Sequence, residues 1–439
     1  MTLLDKWDDN THWKSPQWLL IIGVLSLLTY AFGKVLLGDV AKPAELMLAL
    51  SGLVAFCIWG KELRRNVLLL LGAVILVQLL SWGMGRLHHP EWTNASPSID
   101  RLAKLFIFIS IAWWLRGSTR NTLLIWSLAT FGVLLATVIN APPGDGWIAG
   151  FSGERVGFGV RNQQHASMLF GVICIGLIIF AKRCVKPGRG QFIRMVTWLA
   201  ALSMIIAGLA IGQTRAVWGG VFVALIVGLC SWCLYVLTRD GVRYLLKPLV
   251  VILLIVMAAA TILYWSFGEV LHDRFEMEGQ VIGQILHGDV SQVPYSSLGV
   301  RIHSWVAATQ WIAERPWVGW GAEGRSLVMD ETPWLPEWVA QEFGHLHNFF
   351  IEIWVGYGIL GLLAITALAC WIGYATWKAW RSGDMPGDMA LFGTSFFAYW
   401  MIVNQMESYD SFWTGVYVHN LIVGGLITHY WKSCVINKD

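Results

Sequence analysis

The residues best suited to chemistry in this chain are two histidines and a scattered set of arginines. His345 and His347 precede Asn348-Phe349-Phe350-Ile351-Glu352 at the mouth of a long apolar run. An imidazole with a near-neutral pKa can take the proton of a hydroxyl during nucleophilic attack. Two residues apart before a helix, the rings diverge unless the backbone turns, and the sequence places no carboxylate with them for a metal site. A single base is the economical arrangement. We therefore expect His347 as that base, its tautomer fixed by Asn348 or a backbone group, and His345 in a structural hydrogen bond. Glu352, one turn beyond Asn348, either orients this network or pairs with an arginine.

Arg161, Arg215 and Arg301 stand out by position. Arg161 closes a glycine-rich stretch from Gly150 to Gly159 that also carries Arg155, and it is followed by Asn162 and Gln163 at the start of an apolar run. The glycines allow a tight backbone path, but the spacing and lysine of a nucleotide loop are missing. Arg215 sits in the short turn Gly212-Gln213-Thr214-Arg215 between two apolar runs. A charge held there is costly unless paired or solvated in a cavity, so a functional partner is expected. Arg301 opens an amphipathic helix in which Ile302, Trp305, Val306, Thr309 and Ile312 share one face, with Arg301 and His303 at its sides. Glu314-Arg315-Pro316 ends that helix, and Gly319, Gly321 and Gly324 permit a tight return. Guanidinium forks match phosphate and carboxylate oxygens, so the set points to a phosphate or an acidic sugar. Arg101 and Lys104, one turn apart, either snorkel to headgroups or help hold an anionic lipid carrier.

A membrane scaffold must position these groups. The 439 residues are 56% apolar and 13% charged, with 27 Trp, and the mean hydropathy is +0.58; such a balance excludes an ordinary soluble domain. About twelve apolar runs are long enough, or nearly so, to cross a bilayer as helices. They lie roughly at 17–37, 44–60, 66–83, 102–117, 121–139, 165–182, 195–212, 216–237, 247–267, 348–373, 389–404 and 413–431. The fold class expected is an all-α polytopic membrane protein, a single integral membrane domain over 1–439 with one large outer loop at 268–347. No small-residue cleavage site follows the first run, which reads as a retained span.

With a cytoplasmic N-terminus, the short inside connections collect most of the 31 Lys and Arg, which puts both termini inside. The basic residues left outside are mostly arginine: Arg86, Arg101, Arg155, Arg161, Arg215, Arg274, Arg301, Arg315 and Arg325. Cys230 and Cys233 have metal-like spacing, but they lie inside an apolar run with no second pair nearby and read as packing residues. His88 and His89 read as a surface turn. Trp317, Trp320, Trp334 and Trp338 read as interface residues, with stacking on sugars as the alternative.

Taken in order, these motifs resemble one family. Arg161-Asn162-Gln163, Gln213-Thr214-Arg215-Ala216, Arg301-Ile302-His303-Ser304-Trp305, Glu314-Arg315-Pro316-Trp317-Val318-Gly319-Trp320-Gly321 and His347-Asn348-Phe349-Phe350-Ile351-Glu352, leading to Gly356-Tyr357-Gly358, span about half the chain. The sequence resembles the bacterial superfamily of O-antigen ligases, O-antigen polymerases and protein O-oligosaccharyltransferases, and looks most like the lipopolysaccharide O-antigen ligases. It departs from the common pattern at Arg215, which follows Thr214 directly where many relatives interpose a serine, and at Gln163, which replaces a frequent proline.

The resemblance implies a GT-C-like inverting glycosyltransferase in the bacterial inner membrane, active at the periplasmic face. It would transfer a finished glycan from undecaprenyl diphosphate to a sugar hydroxyl of lipid A-core. His347 would serve as general base, with Arg215 and Arg301 stabilising the departing diphosphate. Arg161 is a further candidate there, and Gln163, Arg155, Asn348, Glu352 and Arg101 are expected substrate contacts. No cofactor, metal or nucleic acid enters such a reaction, and a monomer suffices for it. The alternatives are a polymerase, a protein oligosaccharyltransferase and, in another class, a lipid-linked glycan transporter.

Overall fold

Hydrocarbon offers no hydrogen-bond partner to the backbone, so apolar runs of this length fold as helices that close their own ladders. The computed structural model describes residues 13–239, 241–246 and 293–436, with Trp7 and the isolated positions 250, 261 and 283. The expected span at 247–267, the first part of the expected outer loop and Arg274 lie outside the described residues. Within them the regular secondary structure is entirely helical.

The chain runs through α1 (Gln17–Leu36), α2 (Lys42–Trp59), α3 (Arg64–His88), α4 (Asp100–Ala103), α5 (Phe108–Leu115) and α6 (Thr119–Ile139). Then come α7 (Trp147–Phe151), α8 (Gln163–Ile179), α9 (Ala181–Cys184), α10 (Gln191–Gly212) and α11 (Arg215–Arg239). Past the interval, α12 (Ser297–Glu314), α13 (Gly324–Asp330) and α14 (Glu337–Glu342) precede α15 (Phe349–Arg381), α16 (Gly387–Val403) and α17 (Trp413–Ile436). Among the described residues, 7 helices are long and apolar enough to cross a membrane: α1, α2 with the turn before it, α3, α6, α10, α11 and α15. The chain is therefore an all-α, multi-pass membrane protein. Helix α8 is apolar but shorter.

Helix α17 is buried almost all round and carries the polar side chains Thr414, His419, Asn420, Thr428 and His429 into the bundle. One of them, Asn420, explains why the fourth expected span is not one uninterrupted α-helix. Between α4 and α5 the chain tightens into a 3-10 turn over Lys104–Phe106. Asn420 inserts there: its Oδ1 accepts from Phe108 N at 2.6 Å, and its Nδ2 donates to Lys104 O at 2.9 Å. A single amide thus occupies the donor and acceptor that an α-helix would pair with each other. Gln78 meets the same segment one-sidedly, its Oε1 accepting from Leu102 N in the first turn of α4 at 3.1 Å.

A second break lies in α15. Gly358 adopts φ 64° and ψ −165°, a region open essentially to glycine alone. The groups freed by the break are taken up by the returning outer segment. Trp320 N donates to Val355 O at 2.9 Å and Gly321 N to Gly356 O at 2.7 Å, while Ile359 N donates to Pro316 O at 2.8 Å. Ser81 Oγ adds a bond to Gly356 O at 2.8 Å. This is what the motif Pro316-Trp317-Val318-Gly319-Trp320-Gly321 does: it lies edge-on against an interrupted membrane helix. The approach is too close for side chains, since a Cβ on Gly358 would lie 2.2 Å from the Trp317 carbonyl. Trp320, expected at the interface, is instead buried and donates to Trp311 O.

The amphipathic helix is present as α12 and ends at Glu314 as expected, but its buried face differs from the expected one. Val300, Ser304, Ala307, Ala308 and Trp311 face inward, and His303 is buried against Val293 O at 2.8 Å; of the expected face Ile302 is buried, Trp305 and Ile312 are half-buried and Thr309 is exposed. Small residues at 304, 307 and 308 let the outer layer pack closely, a signal that counting large apolar residues misses.

The seam at the α15 break generates a stability prediction. Gly358→Ala should cost about 3 kcal/mol through backbone strain and the clash with Trp317. Gly373→Ala, farther along the same helix with open space around the added Cβ, should cost nothing. Thermal unfolding in detergent should separate the two variants by several degrees; equal melting would count against the seam.

Candidate functional site

The site assembles where the starts of α8, α11 and α15 meet the loop between α16 and α17. His347 sits just before α15 with φ 52°, a left-handed conformation uncommon for a residue with a side chain. That turn cancels the divergence expected of two residues spaced by one, and the His345 and His347 rings lie 4.0 Å apart between centroids.

Both rings meet one carboxylate. Glu407 Oε1 is 2.7 Å from His345 Nε2, and Oε2 is 2.9 Å from His347 Nδ1. Glu407 is 1% exposed, so this is a carboxylate withdrawn from water. Burial works to raise its pKa, but the hydrogen bonds from His345 and His347 prevail and hold it well below the usual carboxylate range. An ionised Glu407 accepts from both rings, which leaves Nε2 of His347 as the nitrogen able to take a proton. Burial lowers the His347 pKa and the bond to Glu407 opposes that fall, so the ring stays neutral at neutral pH.

Two expectations are corrected here. Asn348 does not fix the His347 tautomer; its Oδ1 caps α15 by accepting from Phe350 N and Ile351 N. The histidines do have a carboxylate, brought from 60 residues away. His345, His347 and Glu407 could hold a metal ion, their ligand atoms lying within 4.8 Å of one another. The 2.7 and 2.9 Å separations are those of hydrogen bonds.

Glu352 settles on the arginine alternative while also bracing the loop. It pairs with Arg325 at 3.3 Å and accepts from Ser408 Oγ at 2.6 Å, Ser411 Oγ at 2.8 Å and Leu346 N at 3.2 Å. These bonds tie the residue before His347 to the residue after Glu407. Arg101 pairs with Glu323 at 3.4 Å and lines, with Arg325 and Glu352, a cleft beside the start of α15.

The cations gather around this core. Arg301 lies within electrostatic reach of Glu407, Arg215 and Arg155; burial lowers its pKa, Glu407 raises it, and the two arginines lower it. Its Nη1 is anchored on Ser297 O at 2.7 Å, while its buried Nε has no hydrogen-bond partner among the described residues. Arg215 starts α11 after the left-handed turn residue Gln213. Arg155 braces that turn, donating to Gly212 O at 3.0 Å and Thr214 Oγ1 at 3.3 Å. Arg161 stacks on Phe412 at 3.7 Å from the ring centroid, and Arg325 lies over the same ring at 5.2 Å. His345 is also against Phe412, at 5.2 Å. Asn162 caps α8 by accepting from His165 N at 3.0 Å, and Gln163 is the first residue of that helix. The glycine-rich stretch before it wraps Asp145, whose carboxylate accepts from Gly157 N and Gly159 N.

Glu407 and Phe412 were missed by sequence reasoning. Their signal was modest: an acidic and aromatic run, Glu407-Ser408-Tyr409-Asp410-Ser411-Phe412, in a short connection on the same side as His347.

The fold and this cluster define a class: a multi-pass helical membrane protein with a buried histidine–carboxylate pair facing clustered arginines. The sequence model of the O-antigen ligase family matches residues 199–366. That match covers less than half of the chain and stands as a similarity to the family. It takes in Arg215, Arg301, Arg325, His345, His347 and Glu352, and leaves Arg101, Arg155, Arg161 and Glu407 outside. No curated protein matches the chain.

The site's electrostatics generate a pH prediction. A base works above its pKa, and Glu407 is the group that raises the His347 value. Glu407→Gln should therefore move the acid limb of the pH–rate profile to lower pH while reducing kcat by about 100-fold or more through lost ring orientation. A reduced rate with an unmoved acid limb would remove Glu407 from the base.

Proposed function

We propose that this protein is an O-antigen ligase of the bacterial inner membrane, transferring a glycan from undecaprenyl diphosphate to a hydroxyl of lipid A-core at the periplasmic face. The observation carrying this reading is the oriented pair: His347 Nδ1 on Glu407, with Nε2 left for the acceptor and arginines on the neighbouring side. His347 Nε2 accepts the proton of the acceptor hydroxyl, and the oxygen attacks the anomeric carbon of the donor. The bond from that carbon to the diphosphate breaks, its electron pair leaving on the diphosphate oxygen. Arg215 and Arg301 balance the charge that develops there, and Arg161 contributes from its stack on Phe412. Direct displacement inverts the anomeric configuration.

Several roles differ from simple contact. Arg155 holds the turn that carries Arg215, and Asn348 and Glu352 hold the backbone and loop around His347. Gln163 remains a proposed substrate contact at the start of α8, and Arg101 one at the adjacent cleft. The cluster of mutually repelling guanidiniums is relieved by an anion, which suits a diphosphate and offers the electrostatic role a metal would otherwise play. The reading is metal-independent on that ground.

The test is reconstitution of the purified protein with polyprenyl-diphosphate oligosaccharide and lipid A-core. One discrete adduct on lipid A-core, unchanged by chelator, is expected. His347→Ala should lower its rate by about 10²- to 10⁴-fold, and Arg301→Lys by more than roughly 10-fold because the fork is lost. A carrier-linked ladder would instead mean a polymerase, glycosylated polypeptide a protein transferase, and no covalent product a transporter. Loss on chelation with recovery on adding a divalent ion would assign the histidines to a metal.

A further inference from the structure

Beyond the base, the outer layer carries a run of aromatic rings that no step above uses. It starts at His347, whose ring meets Phe343 edge-on at 5.7 Å between centroids. Phe343 meets Trp338 at 6.5 Å, Trp338 meets Tyr295 at 5.8 Å, and Tyr295 stacks on His303 at 4.3 Å with 21° between the planes. Trp334 completes the run, 6.3 Å from the His303 ring. These rings are open to the outside: Trp334 and Trp338 are each 41% exposed, and Tyr295 and Phe343 are half-buried. Past His347 only His303 is buried.

The run is fixed relative to the base. Trp305, two residues after His303 on α12, donates from Nε1 to Leu346 O at 2.8 Å, the carbonyl just before His347. Trp334 is set by its own Nε1 bond to Gln310 Oε1 at 3.2 Å.

The surroundings decide what the open faces meet. Exposed polar groups border them: Gln310, and the pair in which Gln341 Nε2 donates to Glu337 Oε1 at 3.2 Å. From 326 to 347 the chain carries Asp330, Glu331, Glu337 and Glu342 and no Lys or Arg. Indoles that anchor a protein against anionic headgroups are helped by basic neighbours, whereas these neighbours repel such a surface. The same repulsion turns away a diphosphate, which belongs with Arg161, Arg215 and Arg301. Aromatic faces edged by amides suit a ligand that is apolar on its ring faces and polar at its rim, and a neutral sugar is such a ligand.

We propose that Phe343, Trp338, Tyr295 and Trp334 form a stacking track for the neutral sugars of the acceptor oligosaccharide. The proposal rests on the transferase reading above and deepens it. His347 takes the proton of the acceptor hydroxyl, so the sugars joined to that hydroxyl continue along the rings that lead away from His347. The register of the acceptor against the base is then set by an extended surface and not by one pocket.

The experiment uses the full chain in detergent and titrates one probe at a time, so that no transfer takes place. The probes are delipidated core oligosaccharide, the donor's oligosaccharide freed of diphosphate, and polyprenyl diphosphate without sugar. Trp338→Ala and Trp334→Ala are each expected to weaken core oligosaccharide by about 10-fold, and Trp338→Phe, which keeps a stacking face, by less than about threefold. Recovery in the phenylalanine variant separates stacking from misfolding. The other two probes should change by less than about twofold, since neither stacks on these rings. Trp317→Ala is the control: that indole is 69% exposed and lies outside the run, and its loss should leave all three probes unchanged.

Unchanged core binding in both alanine variants, equal weakening of all three probes, equal weakening by Trp317→Ala, or no saturable binding of core oligosaccharide to the unsubstituted chain would each overturn the track. Weakening confined to the donor's oligosaccharide would overturn the acceptor as its occupant. Single-probe binding involves no turnover, so the two readings fail separately. A chain that binds core sugars through these rings but transfers nothing defeats the transferase reading, and one that transfers normally with unaltered binding in the variants defeats the track.

Discussion

Every backbone amide and carbonyl at membrane depth must find its partner within the protein, and the positions where helices cannot supply one govern this structure. Asn420 fills the gap between α4 and α5. The returning segment 316–321 fills the gap at Gly358. Each repair fixes one piece of polar architecture against the spans. The second repair sets the outer layer, including Arg325, at a fixed height above α15, and Glu352 one helical turn inside then meets it.

Within that frame one buried carboxylate is responsible for the site's character. Glu407 is costly to bury ionised, and it is tolerated because two imidazoles donate to it and guanidiniums surround it. The same bonds point the free nitrogen of His347 away from Glu407. The loop between α16 and α17 is held in place largely by side chains: Ser408 and Ser411 on Glu352, Asp410 N on Asn404, and Trp400 on Asp410. A single connection therefore supplies the carboxylate that meets both histidines, the ring on which Arg161 stacks and the acid that Trp400 holds.

The legibility of the sequence follows the range of the interactions concerned. The helices and most of their ends were readable because apolar run length is local, and Arg215 stood out because so few residues separate α10 from α11. Helix α12 was readable as a helix, yet its face was not: small residues bury by close approach, and hydropathy does not count them. Glu407 and Phe412 could not be matched to His347 and Arg161, because nothing short of the folded bundle brings their separate loops together. The left-handed turn at His347 was hidden for the opposite reason. It is entirely local, but histidine's enrichment in the left-handed region is too weak to announce it.

The seam between segment 316–321 and the interrupted α15 bears on what can move around His347. A flap must be able to lift, and this stretch cannot do so without stranding several amides and carbonyls, at on the order of a kilocalorie or more apiece. It behaves as a rivet. Any rearrangement of the outer layer must use other parts of its rim, so the geometry around His347 rests against a fixed edge.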